Sequence, residues 1–231
     1  MKTILAMRKY SFYLLLCFSL VLVYYSGRIM LSALWAKQLN TFLLDWEAKK
    51  VEPDAVAWQV AFDAASNAIA LHPGPNADYY DRLGRVWEWK QFRRAFGDEA
   101  ATESRQHAVD AYRQSVATRP MWPDTWVSLA YTKMRLREID EEFVTALRRS
   151  AELGPWRIKS NKRVAEMGLI TWFDLDEDTK ELVVESIRRT VDFSHSQARW
   201  LESRAIDAGR RVFFCDLITA EIKTKRKICS A

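Results

Sequence analysis

The side chains that could do chemistry here are three histidines, three cysteines and a scatter of carboxylates. His72, His107 and His195 lie in separate segments, and none stands at a metal-ligand spacing such as His-Glu-x-x-His. Asp78 and Asp81 fall on one face of a helix, the pairing a glycoside hydrolase needs, but charged residues at that interval are commonplace on solvated helix faces. Asp174-Leu175-Asp176-Glu177-Asp178 has the alternating acids of a calcium loop without its central glycine or distal glutamate, so acids opening a helix explain it better. Cys17 sits in an apolar run, while Cys215 and Cys229 could pair in an oxidising compartment, and that pairing stays open. No glycine-rich phosphate loop and no Gly-x-Ser-x-Gly elbow occurs. The reading is a non-enzyme with no catalytic residue, no cofactor and no metal site.

Composition narrows the class. With 49% hydrophobic and 28% charged residues over 231 positions, the chain is neither disordered nor a polytopic membrane protein. Seven glycines and six prolines among many Ala, Leu, Glu, Lys and Arg favour helix over sheet. The net charge of +5 is spread among interleaved acids and bases, which argues against a nucleic-acid partner. Only Lys223-Thr224-Lys225-Arg226-Lys227 is a concentrated basic run, and such a tail is most often disordered.

Tyr10 to Gly27 carries no charge, and at about 1.5 Å per helical residue it spans most of a hydrocarbon core of about 30 Å. It is longer than a signal-peptide core, and no Ala-x-Ala follows, so a retained anchor is expected. Tyr24, Tyr25 and Trp35 suit an interfacial belt, and Arg28 can snorkel to head groups. Lys2, Arg8 and Lys9 before the span, against Arg28 and Lys37 after it, tilt the N-terminus towards the cytoplasm. Leu31, Leu34, Trp35, Leu39, Phe42, Leu43 and Trp46 keep a helical period, so the anchor helix should continue and pack on the soluble domain.

Counting back from three prolines reveals what must hold any site in place. Ala61, Ala65 and Ala68 precede Pro73 at the same intervals as Ala108, Tyr112 and Ser115 precede Pro120, and as Phe143, Leu147 and Ser150 precede Pro155. Two prolines are followed by an aromatic and then a small residue, Tyr80 with Gly84 and Trp126 with Ala130. This is the tetratricopeptide pattern: small residues let helices approach, aromatics fill the gap, and proline ends the pair. Tyr80 and Ala108 stand farther apart than the pattern asks, which predicts a pair lengthened by about a turn and a half per helix, with its first helix reaching Ala95. After Pro155 the repeat decays, with Val164, Met167, Gly168 and Thr171 a degenerate match.

The expected fold is all-α. A cytoplasmic tail and transmembrane anchor occupies 1–30, a juxtamembrane helix 31–54, tetratricopeptide-like repeats 55–172, C-terminal capping helices 173–216 and a basic tail 217–231. If Tyr80 and Trp126 hold equivalent positions, the concave side of the array carries Asp78, Asp81, Arg85, Glu88 and Trp89, then Asp124, Val127, Tyr131, Met134 and Arg135. Mixed charge with large aromatics suits protein recognition, where Trp, Tyr and Arg dominate the energy. The candidate partner-binding residues are therefore Asp78, Asp81, Arg85, Glu88, Trp89, Asp124, Tyr131 and Arg135; the alternative is that the anchor helix or the C-terminal helices fill this groove from within the chain.

Leu71-His72-Pro73 with Tyr79-Tyr80-Asp81-Arg82-Leu83-Gly84-Arg85-Val86-Trp87-Glu88-Trp89, Arg119-Pro120 with Trp126, Leu129 and Ala130, Ala151-Glu152-Leu153-Gly154-Pro155-Trp156, and Ala208-Gly209-Arg210 with Cys215 together resemble bacterial exopolysaccharide-biosynthesis proteins of the VpsP type. The resemblance covers roughly 55–216. It implies an accessory, non-catalytic role beside protein components of a polysaccharide polymerisation or export complex. The location it implies is the bacterial inner membrane, single-pass, with the soluble part periplasmic and lipid contacted through the N-terminal helix. Two alternatives stand beside it. One is a carbohydrate-binding module that stacks polysaccharide on exposed Trp or Tyr, for which the exposure of Trp89, Trp122 and Trp156 discriminates. The other is a scaffold for secretion, cytochrome maturation or division.

Overall fold

The computed structural model describes residues 2–229, with side chains from residue 12 onward. The side chains of Lys2, Arg8 and Lys9, which carry the charge asymmetry, lie outside that set, as do residues 230–231. The described chain is all-helical. It runs α1 Lys2–Lys49, α2 Ala55–Leu71, α3 Ala77–Lys90, α4 Thr102–Thr118, α5 Pro123–Leu136, α6 Glu141–Leu153, α7 Ile158–Thr171, α8 Glu177–Phe193, α9 His195–Asp207, α10 Arg211–Asp216 and α11 Ala220–Arg226.

α1 is long and apolar enough to cross a membrane over its N-terminal part. Residues 12–26 are all exposed, and burial then begins on one face, at Ser32, Ala36, Leu39, Leu43 and Trp46. Those positions recur at the three- and four-residue intervals of a helix stripe, and they pack against the alanines of α2, Ala61, Ala64, Ala65 and Ala68. The same helix is thus also the first helix of the folded body. Arg28 does not point away to solvent: its guanidinium donates to the carbonyls of Leu71 (3.0 Å) and Ala70 (2.9 Å). A cation there satisfies the orphan acceptors at the C-terminus of α2 and complements the helix dipole.

Successive helices pack as antiparallel pairs, α1 with α2, α3 with α4, α5 with α6 and α7 with α8, while α1, α3, α5, α7 and α9 lie side by side. The register of the latter set is fixed by side chains. Arg82 and Arg85 of α3 meet Ala36 and Glu47 of α1, Asp81 and Glu88 of α3 meet Thr125 and Thr132 of α5, and Ser160 of α7 meets Asp124 of α5; contacts that advance together along both partners make α1, α3 and α5 parallel. Close approach within pairs rests on glycine. A Cβ on Gly84 would lie 2.6 Å from Cε1 of buried Tyr112, and one on Gly168 would lie 2.2 Å from Cγ1 of Val183. The boundary drawn at 172 therefore falls inside a packed pair, because α7 and α8 close on Gly168 as α3 and α4 close on Gly84.

Two expectations need correction. α3 ends at Lys90 rather than near Ala95 and has the ordinary length of such a helix; the extra chain is a loop over 91–98 and a 3-10 turn at Glu99–Ala101. The loop is held by competing partners for its carbonyls. Arg105 donates to Arg94 (2.8 Å) and Arg135 donates to Phe92 (2.8 Å) and Arg94 (3.2 Å). Nor is the basic tail without structure. Thr219 caps α11, Ile218 and Ile228 are buried, and Cys215 is bonded to Cys229.

Candidate functional site

The side-by-side helices enclose a groove of about 560 Å³. α3 supplies Asp81, Arg85, Glu88 and Trp89; α5 supplies Asp124, Val127, Ser128, Tyr131 and Arg135. The end of α1 adds Glu47 and the turn after it Lys50, α7 adds Lys159, Lys162, Arg163 and Glu166, and α9 adds Trp200 and Arg204. Seven of the eight sequence-derived candidates line it. The eighth, Asp78, turns to Arg82 (2.7 Å) in a separate recess against α1, and Met134, also assigned to this face, is buried in the core.

Several groove residues are already committed to the protein. Arg135 is 3% exposed and directs its guanidinium to the 91–98 loop, so it is a structural residue at the groove wall rather than a free donor. Glu88 accepts from Tyr112 Oη at 2.6 Å and Thr132 Oγ1 at 2.7 Å. Asp81 accepts from Thr125 at 2.8 Å, and burial pushes its carboxyl above the ordinary range despite that bond. Glu47 pairs with Arg85 at 2.6 Å, Glu166 with Arg163 at 2.7 Å and Asp124 with Arg157 at 3.3 Å. Every carboxylate of the groove is thereby engaged.

The lysines are not. Among the described residues, Lys50, Lys159 and Lys162 reach no carboxylate at ion-pair distance. Lys162 instead lies 3.8 Å over the Trp200 ring, and burial lowers its ammonium pKa, with Arg163, Lys50 and Arg204 adding like-charge repulsion against the attraction of Glu166.

The α7 residues escape a reading that aligns the third repeat on Gly168. Counting from Pro155 as from Pro120 puts Asn161 where Trp126 stands and places Lys159, Lys162 and Glu166 on the groove side. No aromatic marks that position; Asn161 is buried there, its amide donating to the Pro155 and Arg157 carbonyls. Glu47 and Lys50 carry no signal in the sequence, where the anchor helix reads as flanking the array.

A shallower recess on the opposite side, between α4 and α6, is apolar apart from Arg113, Glu141, Glu142 and Thr145. It brings together fewer polar groups than the groove. The three discriminating tryptophans divide: Trp89 is 7% exposed, Trp122 is sandwiched between Arg119 and Arg157, and Trp156 is 89% exposed on the α6–α7 turn, outside the groove. His72 caps α2 and its Nδ1 contacts the Gly74 carbonyl at 2.6 Å, and Asp176 caps α8 by accepting from the Thr179 amide, so both have structural partners.

A scan against protein-family models found no match, and a search of curated proteins found none.

Proposed function

We propose that this chain is a non-catalytic, membrane-anchored scaffold of tetratricopeptide-like architecture that serves bacterial exopolysaccharide biosynthesis or export through protein–protein contact. The observation that carries it is the groove itself. Its walls are parallel helices pinned to one another by ion pairs and hydrogen bonds, and its first wall is the anchor helix. Such a device holds a partner at a fixed height above a bilayer. The exopolysaccharide assignment rests on the resemblance of the Leu71–Trp89 and Ala151–Trp156 strings.

The proposed location is the inner membrane with the body in the periplasm. The Cys215–Cys229 bond supports it, because disulfides persist in oxidising compartments. The test is complementation in a strain lacking the protein. Polymer output should fall in the null strain and return with the wild-type chain, but not with Arg85→Glu combined with Lys159→Glu. Normal output in the null strain would move the scaffold to another envelope process.

A second reading, direct polysaccharide contact, has one observation in its favour, the exposed Trp156 indole. Trp156→Ala should weaken polymer retention by the purified protein if that reading holds, and should leave it unchanged if the scaffold reading does.

A further inference from the structure

We infer that the groove takes an acidic peptide segment of the partner, seated on a cation cluster formed where the end of the anchor helix faces α7 and α9 across the groove. The inference rests on the scaffold reading and adds the chemistry of what is held.

The balance of charge inside the groove leads to it. All five carboxylates are satisfied within the protein, whereas Lys50, Lys159 and Lys162 are left without a carboxylate partner among the described residues. Arg204 pairs outward with Asp207 at 2.8 Å, and its Nε is buried without a partner. Lys162 is half-buried in a lining it shares with Lys50, Arg163 and Arg204, like charges whose repulsion the neighbouring Glu166 offsets only in part. An entering carboxylate relieves that repulsion and gains charge-assisted hydrogen bonds in a partly desolvated place.

The walls favour a peptide over an anionic sugar. Sugar rings stack on open aromatic faces, but Lys162 lies over Trp200, Arg163 lies 4.3 Å over Tyr131, and Trp89 is buried against Trp46 and Phe92. What remains open is cationic and polar. A volume of about 560 Å³ suits a few residues of an extended chain bearing Glu or Asp.

The test uses the full chain in nanodiscs of uncharged phosphatidylcholine, with fluorescein-labelled hexaglutamate as the probe and anisotropy as the readout. Lys50→Gln, Lys159→Gln and Lys162→Gln together should weaken binding at least tenfold. The charge-matched control Lys223→Gln, Lys225→Gln and Lys227→Gln should change it less than twofold, and hexaglutamine should not bind. The single exposed change Lys159→Glu repeats the test with little risk to folding, which circular dichroism checks. Equal losses in the groove and tail variants, or no hexaglutamate binding at low salt, would overturn the inference. So would binding of oligogalacturonate in preference to hexaglutamate, which would assign the groove to an acidic sugar. If the groove variant loses polymer output in cells while the wild type ignores hexaglutamate, the scaffold reading stands and the acidic-peptide inference falls.

Discussion

At the scale of single residues, the array depends on positions where nothing larger fits. Alanine at Gly84 gains helix propensity of about 1 kcal/mol, yet its Cβ would strike a Tyr112 ring held in place by a 2.6 Å bond to Glu88. The steric term should win, and Gly84→Ala should lower stability by about 1–3 kcal/mol in thermal or urea unfolding. Ala108→Leu should cost a similar amount, since Ala108 is fully buried. A midpoint unchanged in either variant would contradict the packing described. Arg85 and Arg135 look alike in the sequence but not in their surroundings. Arg85→Ala removes a half-exposed pair worth under about 1 kcal/mol, while Arg135→Ala takes away a 3% exposed side chain and the donor to the partly buried Phe92 carbonyl and should cost about 1–3 kcal/mol. Equal effects of the two would contradict the assignment of Arg135 as structural.

Among the elements, the α5–α6 connection gathers a buried lysine and three carboxylates. Lys133 is only 1% exposed and meets Glu138, Asp140 and Glu142 at 2.9–3.0 Å; burial pulls its pKa down, but the three carboxylates prevail and push it up to about 12. The hydrogen bond from Arg113 holds the Glu142 carboxyl at about 2 against its burial, with Lys133 assisting. A lowered carboxyl stabilises the fold above its unfolded value of 4.5 and loses that contribution as pH falls through about 2. Urea midpoints should therefore drop between those values, and Glu142→Gln should flatten the decline. An unaltered acid profile in that variant would contradict the role given to this pair. Element positions were legible where caps and prolines mark them, as at Asp54 for α2 and Pro123 for α5. The 91–98 loop was not, because Lys90 to Ala95 carries no breaker. Tertiary capture of its carbonyls by Arg105 and Arg135 ends α3 instead.

Across the whole molecule, the proline and small-residue spacing made the helix pairs readable, and the concave face of α3 and α5 followed from it. That the anchor helix and the C-terminal helices reach this groove is the alternative reading of the sequence, but which of their residues line it does not follow from spacing, because no proline or aromatic register marks Glu47, Lys50, Lys159, Lys162, Trp200 or Arg204. Orientation in the membrane has its own check. A periplasm-active reporter fused after Ala231 should be active and a cytoplasm-active one silent, and the reverse would contradict the periplasmic placement. The central claim is that a partner protein lies in the groove, and photo-crosslinking in native membranes tests it most directly. A crosslinking residue in place of Ser128, on the groove wall, should give a discrete protein adduct, and one in place of exposed Gln114 on α4 should give none. Adducts from Gln114 alone, or of equal yield from both positions, would contradict it.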